Sequence, residues 1–281
     1  MDNFEYENEI ISRLQKINPK LNYDVIYKKS TDSTNNDAKN IISEKNLLII
    51  AEKQTAGKGR YGRSFYSDNK NGIYFSVKIN NPAGAKINFP PAFFPLIAAV
   101  AVSRAVYDLC GIELCVKWPN DLLYKLPLSL RAPPLKEGGK DAGYRKICGI
   151  LTEASIKNNE ASYVIVGIGL NINNDISDFP DDIKNTASSL KIISNNSNKN
   201  YNRTDILCGI VNIFTELLFM PREFLIDEYK KRLLTGIDIS FTQDNKIVKG
   251  KAAGINKNGN LIATLESGEE TIIQSGEINF I

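Results

Sequence analysis

Residues 54–63 read QTAGKGRYGR, a glycine-spaced run of cations that begins with an amide side chain. Its three glycines allow the backbone to approach a ligand closely, because a residue without Cβ leaves room for one. Its three cations, Lys58, Arg60 and Arg63, supply positive charge and directional hydrogen-bond donors. The stretch therefore predicts a loop that binds an anionic ligand.

Short charged motifs also occur without function, and a solvated basic turn is the alternative interpretation of this loop. The spacing lacks the Gly-x-x-x-x-Gly-Lys-Ser/Thr pattern of nucleotide hydrolases. The choice between the two interpretations therefore depends on what the rest of the chain supplies.

The composition bounds the kind of protein and the kind of chemistry. The chain has 281 residues, of which 42% are hydrophobic, and this is enough for one large domain and a small one. A net charge of +3 is too small for a surface that coats nucleic acid. Histidine is absent, which excludes Ser-His and Cys-His nucleophile pairs and every histidine-ligated metal site. The sequence thus favours chemistry driven by positioning and charge stabilisation.

The N-terminus and the cysteines indicate the compartment. The first six residues are acidic and polar, without the apolar segment of a signal peptide. No apolar stretch is expected to reach membrane-spanning length, so the prediction is a cytoplasmic protein without membrane contact. The four cysteines, Cys110, Cys115, Cys148 and Cys208, form no Cys-x-x-Cys pair. We expect reduced, mostly buried thiols and no metal site formed by the protein.

Hydrophobic periodicity predicts a mixture of helices and strands before residue 235. Helices are expected from about 5 to 17, after a hydroxyl cap at Ser33 or Thr34, over 95–109, and from 205 to about 233. Strands are expected over 47–51, 72–79, 113–118, 147–156 and 163–172. The basic loop therefore joins two strands.

From Gly236 the pattern changes to short strands, with turns predicted at Asn258-Gly259 and Ser267-Gly268. We expect residues 235–281 to form a small β-barrel domain after a larger domain of residues 1–234. The segment 126–144 is rich in Pro, Gly and Lys and is long for a connection. It is expected to be a surface excursion or a lid.

Three further motifs accompany the loop in a fixed order: Ser33-Thr34-Asn35 before it, KWPND at 117–121, and KICGIL at 146–151. Together with the loop, they closely resemble the motifs of biotin protein ligases. The likeness is dense from about residue 30 to 173, is weak in the helices that follow, and returns at 254–255 and 276–278. The combination is specific, although no single motif is.

This resemblance implies an α+β fold, in which a mixed β-sheet catalytic domain flanked by helices, similar to class II synthetases, precedes a small SH3-like β-barrel. It implies an enzyme that joins biotin to ATP, giving biotinyl-5′-AMP and pyrophosphate, and then transfers the biotinyl group to one lysine of a biotin carboxyl carrier domain. Biotin and ATP are then substrates, and Mg²⁺ is expected with ATP. The protein is expected to be a monomer or a homodimer.

The resemblance also implies the residues of the site. Those expected to contact biotin are Ser33, Thr34, Asn35, Gln54, Gly57, Lys58, Gly59, Arg60, Lys146 and Gly149. Those expected to contact ATP or the adenylate are Lys58, Arg60, Arg63, Phe65, Asn120, Asp121, Lys146, Gly169 and Asn171.

Electrostatics suggests which of these residues matter most in catalysis. The carboxylate of biotin and the α-phosphate are both anions, so cations must offset their repulsion. Lys146 and Arg60 are the cations expected to contribute most. Asp121 is expected to orient or deprotonate the acceptor lysine, or to lie near Mg²⁺.

Structural roles compete with several of these assignments. Asp121 has the alternative role of capping the following turn. Gly167 and Gly169 in a strand indicate that another group comes close to the backbone. That group is either the adenine or ribose of the ligand, or the two glycines only allow a kink that the packing requires. For Lys117 and Trp118 we favour a structural role, as a strand lysine and a packed indole that shape the wall.

The loop departs from the commonest family form at two positions. Lys58 is usually arginine there, and Tyr61 is often another basic residue. Lysine keeps the charge but lacks the bidentate fork of arginine. The departure therefore concerns the phosphate geometry and not the class of reaction.

Three other functions are weighed against biotin ligation. Some relatives are also transcriptional repressors with an N-terminal winged helix, but only about thirty residues precede Ser33, so nucleic-acid binding is not expected. A lipoate-type protein ligase shares the plan and the adenylate chemistry, although the loop and the KWPND motif favour biotin. A non-catalytic biotin-binding module is the third alternative, and pyrophosphate release distinguishes it from an enzyme.

The loop charges predict the phenotype of Arg60→Ala. The variant is expected to fold but to release the acyl-adenylate, because the cations of the loop hold its phosphate half. The free adenylate then labels lysines on bystander proteins, which is measured by mass spectrometry of a mixture of carrier domain and an unrelated protein. A variant that modified only the carrier domain, at the wild-type rate, would contradict this role.

Overall fold

The structure is a computed structural model that describes residues 3–17, 22–82, 84–85, 87, 89–127, 143–158, 160–196 and 198–281. Its helices are α1 (Asn3–Ile17), α2 (Thr34–Asn40), α3 (Phe94–Cys110), α4 (Leu190–Ile193), α5 (Arg203–Leu217) and α6 (Arg222–Lys230). Strands of the first part are β1 (Tyr23–Lys28), β2 (Asn46–Ala51), β3 (Ile73–Asn80), β4 (Cys115–Lys117), β5 (Asp121–Lys125), β6 (Tyr144–Lys157) and β7 (Glu160–Leu170). Strands of the second part are β8 (Asp238–Gln243), β9 (Lys246–Ile255), β10 (Leu261–Leu265), β11 (Glu270–Ile273) and β12 (Ile278–Phe280).

The larger sheet has seven strands in the order β1-β2-β3-β7-β6-β5-β4. β1 and β2 are parallel, and every other neighbouring pair is antiparallel. The register places Gly169 of β7 opposite Gly149 of β6 and Tyr74 of β3. The prediction of a mixed-sheet α+β fold is confirmed.

The two faces of this sheet differ, because side chains alternate along each strand. One face carries the main hydrophobic core, which includes the odd-numbered residues of β3, namely Ile73, Phe75, Val77 and Ile79. Helix α3 packs on β6 and β7 there, and α5 packs on α3. On the other face, Ser76 and Lys78 of β3 make hydrogen bonds with residues of α2 and the segment that follows it. The second face is therefore the more polar one, with α2 lying across it.

Helix α3 and the turn before it contradict the expectation that no apolar stretch reaches membrane-spanning length. The segment Pro91–Cys110 is long and apolar enough to cross a membrane by these two criteria, whereas no such stretch was expected. In the fold, 67% of its most apolar window is buried. A helix buried on several sides is apolar all round, and this explains its composition without a membrane.

The C-terminal segment forms a five-stranded antiparallel sheet in the order β11-β10-β9-β8-β12. A small β-barrel was expected from residue 235, and the described strands form a sheet in which the end strands β11 and β12 are not paired with each other. Its apolar residues, such as Phe241 and Leu261, continue the main core. Trp118 connects the two parts, because its buried indole Nε1 donates to Gly259 O at 3.0 Å. The favoured packing role of Trp118 therefore agrees with its contacts.

Other differences from the sequence predictions have local causes. Ser33 precedes α2 but makes no capping hydrogen bond through its side chain, so the predicted hydroxyl cap is wrong. Instead, Asp32 Oδ1 accepts from the backbone N–H of Ser33 at 2.6 Å. The predicted strand 113–118 is limited to β4, and the helical region after residue 205 is interrupted before α6 at Pro221, which cannot donate a backbone hydrogen bond.

The predicted excursion at 126–144 falls mostly on residues 128–142, which lie outside the described residues. Its two ends are joined, because Leu126 N donates to Gly143 O at 2.8 Å. The segment therefore leaves from β5 and returns to β6, the neighbouring strand.

Candidate active site

A cavity of about 130 Å³, open to solvent, lies on the α2 side of the larger sheet. Its walls come from the start of α2, the basic loop, the β4–β5 turn, β6, β7 and the last turn of the C-terminal sheet. The lining residues include Ser33, Thr34, Asn35, Gln54, Lys58, Gly59, Arg60, Tyr61, Arg63, Phe65, Trp118, Asn120, Asp121, Lys146, Gly149, Gly167, Gly169, Glu277 and Ile278. Polar and apolar groups thus converge in one concave site, as in small-molecule pockets.

The basic loop joins β2 to β3 and folds back on itself as a narrow hairpin. Gly59 N donates to Arg63 O at 2.7 Å, and Phe65 N donates to Gly57 O at 2.9 Å. Tyr61 and Gly62 at its tip both have positive φ, 55° and 74°. The loop glycines have Gly-x-Gly-x-x-Gly spacing, but a dinucleotide loop lies between a strand and a helix, whereas this loop joins two antiparallel strands.

Phe65 attaches this loop to the sheet. Its ring lies over the glycines of β6 and β7: a Cβ added at Gly149 would be 3.0 Å from Phe65 Cε2, and one at Gly169 would overlap the ring. A Cβ added at Gly167 would overlap the amide of Asn35. The close approach that the glycines allow is thus made, in this structure, by side chains of the protein.

Each cation of the loop has a partner on another element. Lys58 Nζ donates to Asn36 Oδ1 at 2.8 Å, and Arg60 Nη1 donates to Asn120 Oδ1 at 3.0 Å. Arg63 forms an ion pair with Glu277 of the C-terminal sheet. The two amide partners carry no charge, so the charges of Lys58 and Arg60 are not neutralised by these contacts.

Arg60 is also held by the residue that follows it. Its Nη2 donates to Tyr61 Oη at 3.1 Å, and its guanidinium lies 5.0 Å from the centre of the Tyr61 ring. Asn120 is fixed in turn, because its Nδ2 donates to Ile150 O at 2.8 Å and its Oδ1 therefore faces Arg60. Two independent contacts thus orient the guanidinium along the pocket wall.

Lys146 and Asp121 lie side by side on β6 and β5. Lys146 Nζ is 2.8 Å from Asp121 Oδ1, and the ammonium is 5.8 Å from the centre of the Phe65 ring. Both side chains are about one third exposed, at 37% and 31%, so they remain accessible from the pocket. The three residues predicted to be catalytic, these two and Arg60, therefore line one cavity.

The floor of the pocket is a connected set of buried polar side chains. Gln54 Oε1 accepts from the backbone N–H of Thr34 at 2.9 Å, and Gln54 Nε2 donates to Ser67 Oγ at 3.2 Å. Ser76 Oγ lies 2.7 Å from Thr34 Oγ1 and 2.6 Å from Asn35 Oδ1. Each of these side chains is less than one tenth exposed. Burial of so many polar groups is stable only because they are bonded to one another.

The structure brings together all of the predicted site residues except two. Gly57 and Asn171 lie outside the lining of the cavity, whereas every other predicted biotin or ATP residue lies on it. A Cβ at Gly57 would be 2.5 Å from Phe65 O, so this glycine serves the hairpin. Asn171 is buried beside Ser188, whose O accepts from Asn171 Nδ2 at 3.0 Å.

Sequence reasoning missed Ser67, Ser76 and Glu153, which support the pocket from behind, and the role of Glu277 in its wall. Ser76 carried a signal, because it is a small polar residue in the middle of an apolar strand. Glu277 carried none, since its approach to Arg63 depends on how the C-terminal sheet packs.

The cysteines are free thiols, as predicted. Burial raises the pKa of Cys148, which lies beside the pocket on β6, and raises the pKa of Cys110, Cys115 and Cys208 to about 11. Two of the four, Cys148 and Cys208, are buried, and the other two are partly exposed. None is a thiolate near neutral pH, so none is activated as a nucleophile.

Two family models match the chain. The model of the biotin/lipoate A/B protein ligase family matches residues 25–171, and the model of the biotin protein ligase C-terminal domain matches residues 236–280. Among curated proteins, the chain is 32% identical over 250 residues to the bifunctional ligase/repressor BirA of Bacillus spizizenii, covering 86% of this chain and 69% of the relative. It is 30% identical over 151 residues to a biotin--[acetyl-CoA-carboxylase] ligase of Mycobacterium tuberculosis, covering 51% and 44%.

Solved structures give the same result. The biotin protein ligase of Aquifex aeolicus in complex with biotin and ATP is similar with a TM-score of 0.72 and 26% identity, over 92% of this chain and 98% of the other. The biotin protein ligase of Leishmania major in complex with biotinyl-5-AMP has a TM-score of 0.55 and 21% identity, over 90% and 99%. This second similarity concerns the fold alone.

The packing of Phe65 on the sheet predicts the effect of Gly169→Ala. The added methyl group overlaps the ring, so we expect Phe65 to be displaced and the loop to open more often. Limited trypsin digestion is the measurement, because cleavage after Arg60 and Arg63 reports loop opening. Gly254→Ala is the matched control, since a Cβ there meets nothing within 4 Å. Equal cleavage rates for both variants and the wild type would contradict the anchoring role of Phe65.

Proposed function

The chain belongs to the biotin/lipoate A/B protein ligase family, and from this premise we propose that it biotinylates the carrier domain of a biotin-dependent carboxylase. It is a ligase whose substrates are biotin and ATP. Two half-reactions are proposed: biotin and ATP give biotinyl-5′-AMP and pyrophosphate, and a carrier lysine then takes the biotinyl group and releases AMP. The observation that carries the proposal is the convergence of Lys58, Arg60, Lys146 and Asp121 on one cavity with a polar floor.

The polar floor suits the urea ring of biotin. Ser33, Thr34, Asn35 and Gln54 place hydroxyl and amide groups at the bottom of the cavity, and a urea has both donors and an acceptor to pair with them. The wall residues Ile150 and Leu151 supply apolar surface beside them. We assign the biotin ring to this floor, with Gly59 and Gly149 beside it.

The cations suit the reacting anions. In the first half-reaction a carboxylate oxygen of biotin attacks the α-phosphate, and the bond to pyrophosphate breaks. Charge accumulates on the phosphate oxygens as the two anions meet, and Lys146 and Arg60 lie where they can stabilise it. Arg60 exchanges its amide partner Asn120 for a phosphate oxygen, which is a stronger, charge-assisted acceptor. Lys58 and Arg63 add positive charge from the same loop.

Asp121 is the carboxylate nearest to the proposed reacting centre, 2.8 Å from Lys146 Nζ. In the second half-reaction the acceptor lysine must attack as a neutral amine, so it has to lose a proton. We propose that Asp121 orients this lysine and accepts that proton once the ligand has drawn Lys146 away. The competing role of Asp121 as a turn cap is less well supported, because its partner is an ammonium group.

The adenylate half is assigned to the Phe65 side of the cavity. Phe65, Asn120 and Gly169 line it there, and Asn171 is proposed for adenine. Asn171 lies outside the present cavity lining, but its Oδ1 is buried without a hydrogen-bond partner among the described residues and is proposed to accept from adenine once the ligand is bound. Mg²⁺ would accompany ATP, with its charge offsetting that of the phosphates, and Asp121 is the available carboxylate.

The proposal also covers the domain limits, the cellular compartment and the oligomeric state. We propose a catalytic domain of residues 1–234 and a C-terminal domain of 235–281, which the separate match to residues 236–280 supports. The C-terminal domain adds Glu277 and Ile278 to the cavity wall. The protein is proposed to act in the cytoplasm as a monomer or homodimer, without binding nucleic acid or membranes.

Intact-mass analysis of the complete reaction tests the function. Wild-type protein with biotin, ATP, Mg²⁺ and a biotin carboxyl carrier domain is expected to release pyrophosphate and to add one biotinyl group to the carrier. Lipoate in place of biotin is the specificity control and is expected to give no product. Pyrophosphate release with lipoate alone would favour a lipoate-type ligase, and release with neither acid would favour a binding module.

Lys146→Met is the variant that tests the site. It keeps the length of the side chain and removes the charge, so we expect kcat for pyrophosphate release to fall by about 10²–10³ while the fold is retained. Lys184→Met is the matched control, because Lys184 pairs with exposed Asp181 and lies outside the cavity lining. Equal activity of the two variants would remove Lys146 from the proposed mechanism.

A further inference from the structure

Ser76 belongs to the polar floor of the cavity but lies behind the surface that a ligand reaches. Ser76 lies on β3, has no exposed surface and is not part of the cavity lining, yet it contacts both Thr34 and Asn35. We infer that Ser76 is a positioning residue that makes the Thr34 hydroxyl a hydrogen-bond acceptor for one N–H of the biotin urea. This inference rests on the proposed function and concerns how the pocket recognises its ligand.

The orientation begins at Glu153, whose carboxylate offers only acceptors when paired with a lysine. Its Oε1 accepts from Lys39 Nζ at 2.6 Å, and its Oε2 accepts from Asn35 Nδ2 at 2.9 Å. Asn35 Nδ2 also donates to Leu151 O at 3.3 Å. Both partners on this side of Asn35 are acceptors, so the amide nitrogen must face them. The amide oxygen of Asn35 consequently faces Ser76.

Ser76 then has a fixed role as a donor to Asn35. Its Oγ is 2.6 Å from Asn35 Oδ1, and an amide oxygen can only accept. A hydroxyl carries one hydrogen, so nothing remains to donate to Thr34 Oγ1, which is 2.7 Å away. Two oxygens at that distance need a hydrogen between them. The hydrogen in the second contact is therefore that of Thr34.

Thr34 thus uses its only hydroxyl hydrogen on Ser76 and keeps its lone pairs. The other nearby oxygen, Gln54 Oε1, is farther away at 3.2 Å and already accepts from the backbone N–H of Thr34 at 2.9 Å. The amide of Gln54 keeps its oxygen toward Thr34 because its Nε2 donates to Ser67 Oγ at 3.2 Å on the other side. Thr34 lines the cavity, and in this arrangement its Oγ1 is left to accept a hydrogen bond from the ligand.

An acceptor at this place selects the chemistry of the ligand. A cyclic urea presents an N–H on each side of its carbonyl, so one of them can pair with Thr34. An oxygen at the same place would face the lone pairs of the hydroxyl, and a buried pair without a hydrogen is unfavourable. The buried chain from Glu153 through Asn35 and Ser76 therefore sets which groups the floor accepts.

Ser76→Ala tests this role in steady-state pyrophosphate release. The variant frees the Thr34 hydroxyl to donate to Gln54 and leaves the amide oxygen of Asn35 without its donor. We expect KM for biotin to rise roughly ten- to hundred-fold while kcat stays within about twofold. Ser103→Ala is the matched control and is expected to behave as the wild type. Ser103 is also a buried serine, but its Oγ donates to Leu114 O at 3.3 Å, away from the cavity.

A second readout separates positioning from a general loss of structure. Two cyclic carbamate analogues of biotin each replace one urea N–H by oxygen. The wild type is expected to reject one of them by roughly 10²-fold relative to biotin, and Ser76→Ala to reject the same analogue less, because the released Thr34 hydroxyl can donate to that oxygen. If Ser76→Ala does not fold, Ser76→Cys serves instead, since a thiol is a weak donor, and it is expected to relax the rejection in the same direction.

Wild-type KM for biotin together with undiminished carbamate rejection in the folded Ser76 variant would overturn the inference. Equal acceptance of both carbamates and biotin by the wild type would also overturn it. Failure of the wild type to release pyrophosphate from biotin and ATP is a different result, because it contradicts the proposed function itself.

Discussion

The site depends on the absence of side chains at three glycines on the pocket face of the seven-stranded sheet. Positions 149, 167 and 169 carry no side chain, and a methyl group at the last two would overlap Phe65 or Asn35. Because no side chains cover the backbone at these positions, the Phe65 ring lies directly on the sheet. The adjoining hairpin extends its cations over the same area. The residues of the strands beneath the cationic loop therefore determine its position as much as the residues of the loop do.

The electrostatic arrangement follows from this packing. Of the cations around the cavity, Lys58 and Arg60 rest on neutral amides, whereas Lys146 and Arg63 rest on single carboxylates. Apart from the contact to the buried amide of Asn120, these contacts lie between exposed or partly exposed side chains. Such contacts are individually weak, so an anionic ligand can replace them. Directional partners keep the side chains near the pocket before the ligand arrives, which lowers the cost of ordering them later. The site thus holds Lys58 and Arg60 in defined directions without neutralising their charges.

Much of the fold could be predicted from the sequence, because long periodic segments such as α3 and β7 carry their own signal. Short elements could not: β5 has five residues and begins directly after a turn, and the turn at Asp244 and Asn245 lacks glycine although both residues have positive φ. In the site, the sequence motifs identified most of the residues that line the cavity. Ser76 and Glu153 were missed because their roles arise only when α2 is packed across the sheet. Ser33 was misread because the first backbone N–H of α2, that of Thr34, donates to Gln54 Oε1 of the neighbouring loop and not to a hydroxyl cap.

A crystal structure with a non-hydrolysable sulfamoyl analogue of biotinyl-5′-AMP tests the central claim most directly. Phe65 is expected to stay on the glycines of β6 and β7, and Arg60, Lys58 and Lys146 are expected to turn from their present partners to the sulfamoyl linkage, with the hairpin covering it. A complex in which the ligand is bound while the hairpin has left the sheet, with its guanidinium groups in solvent, would contradict the account.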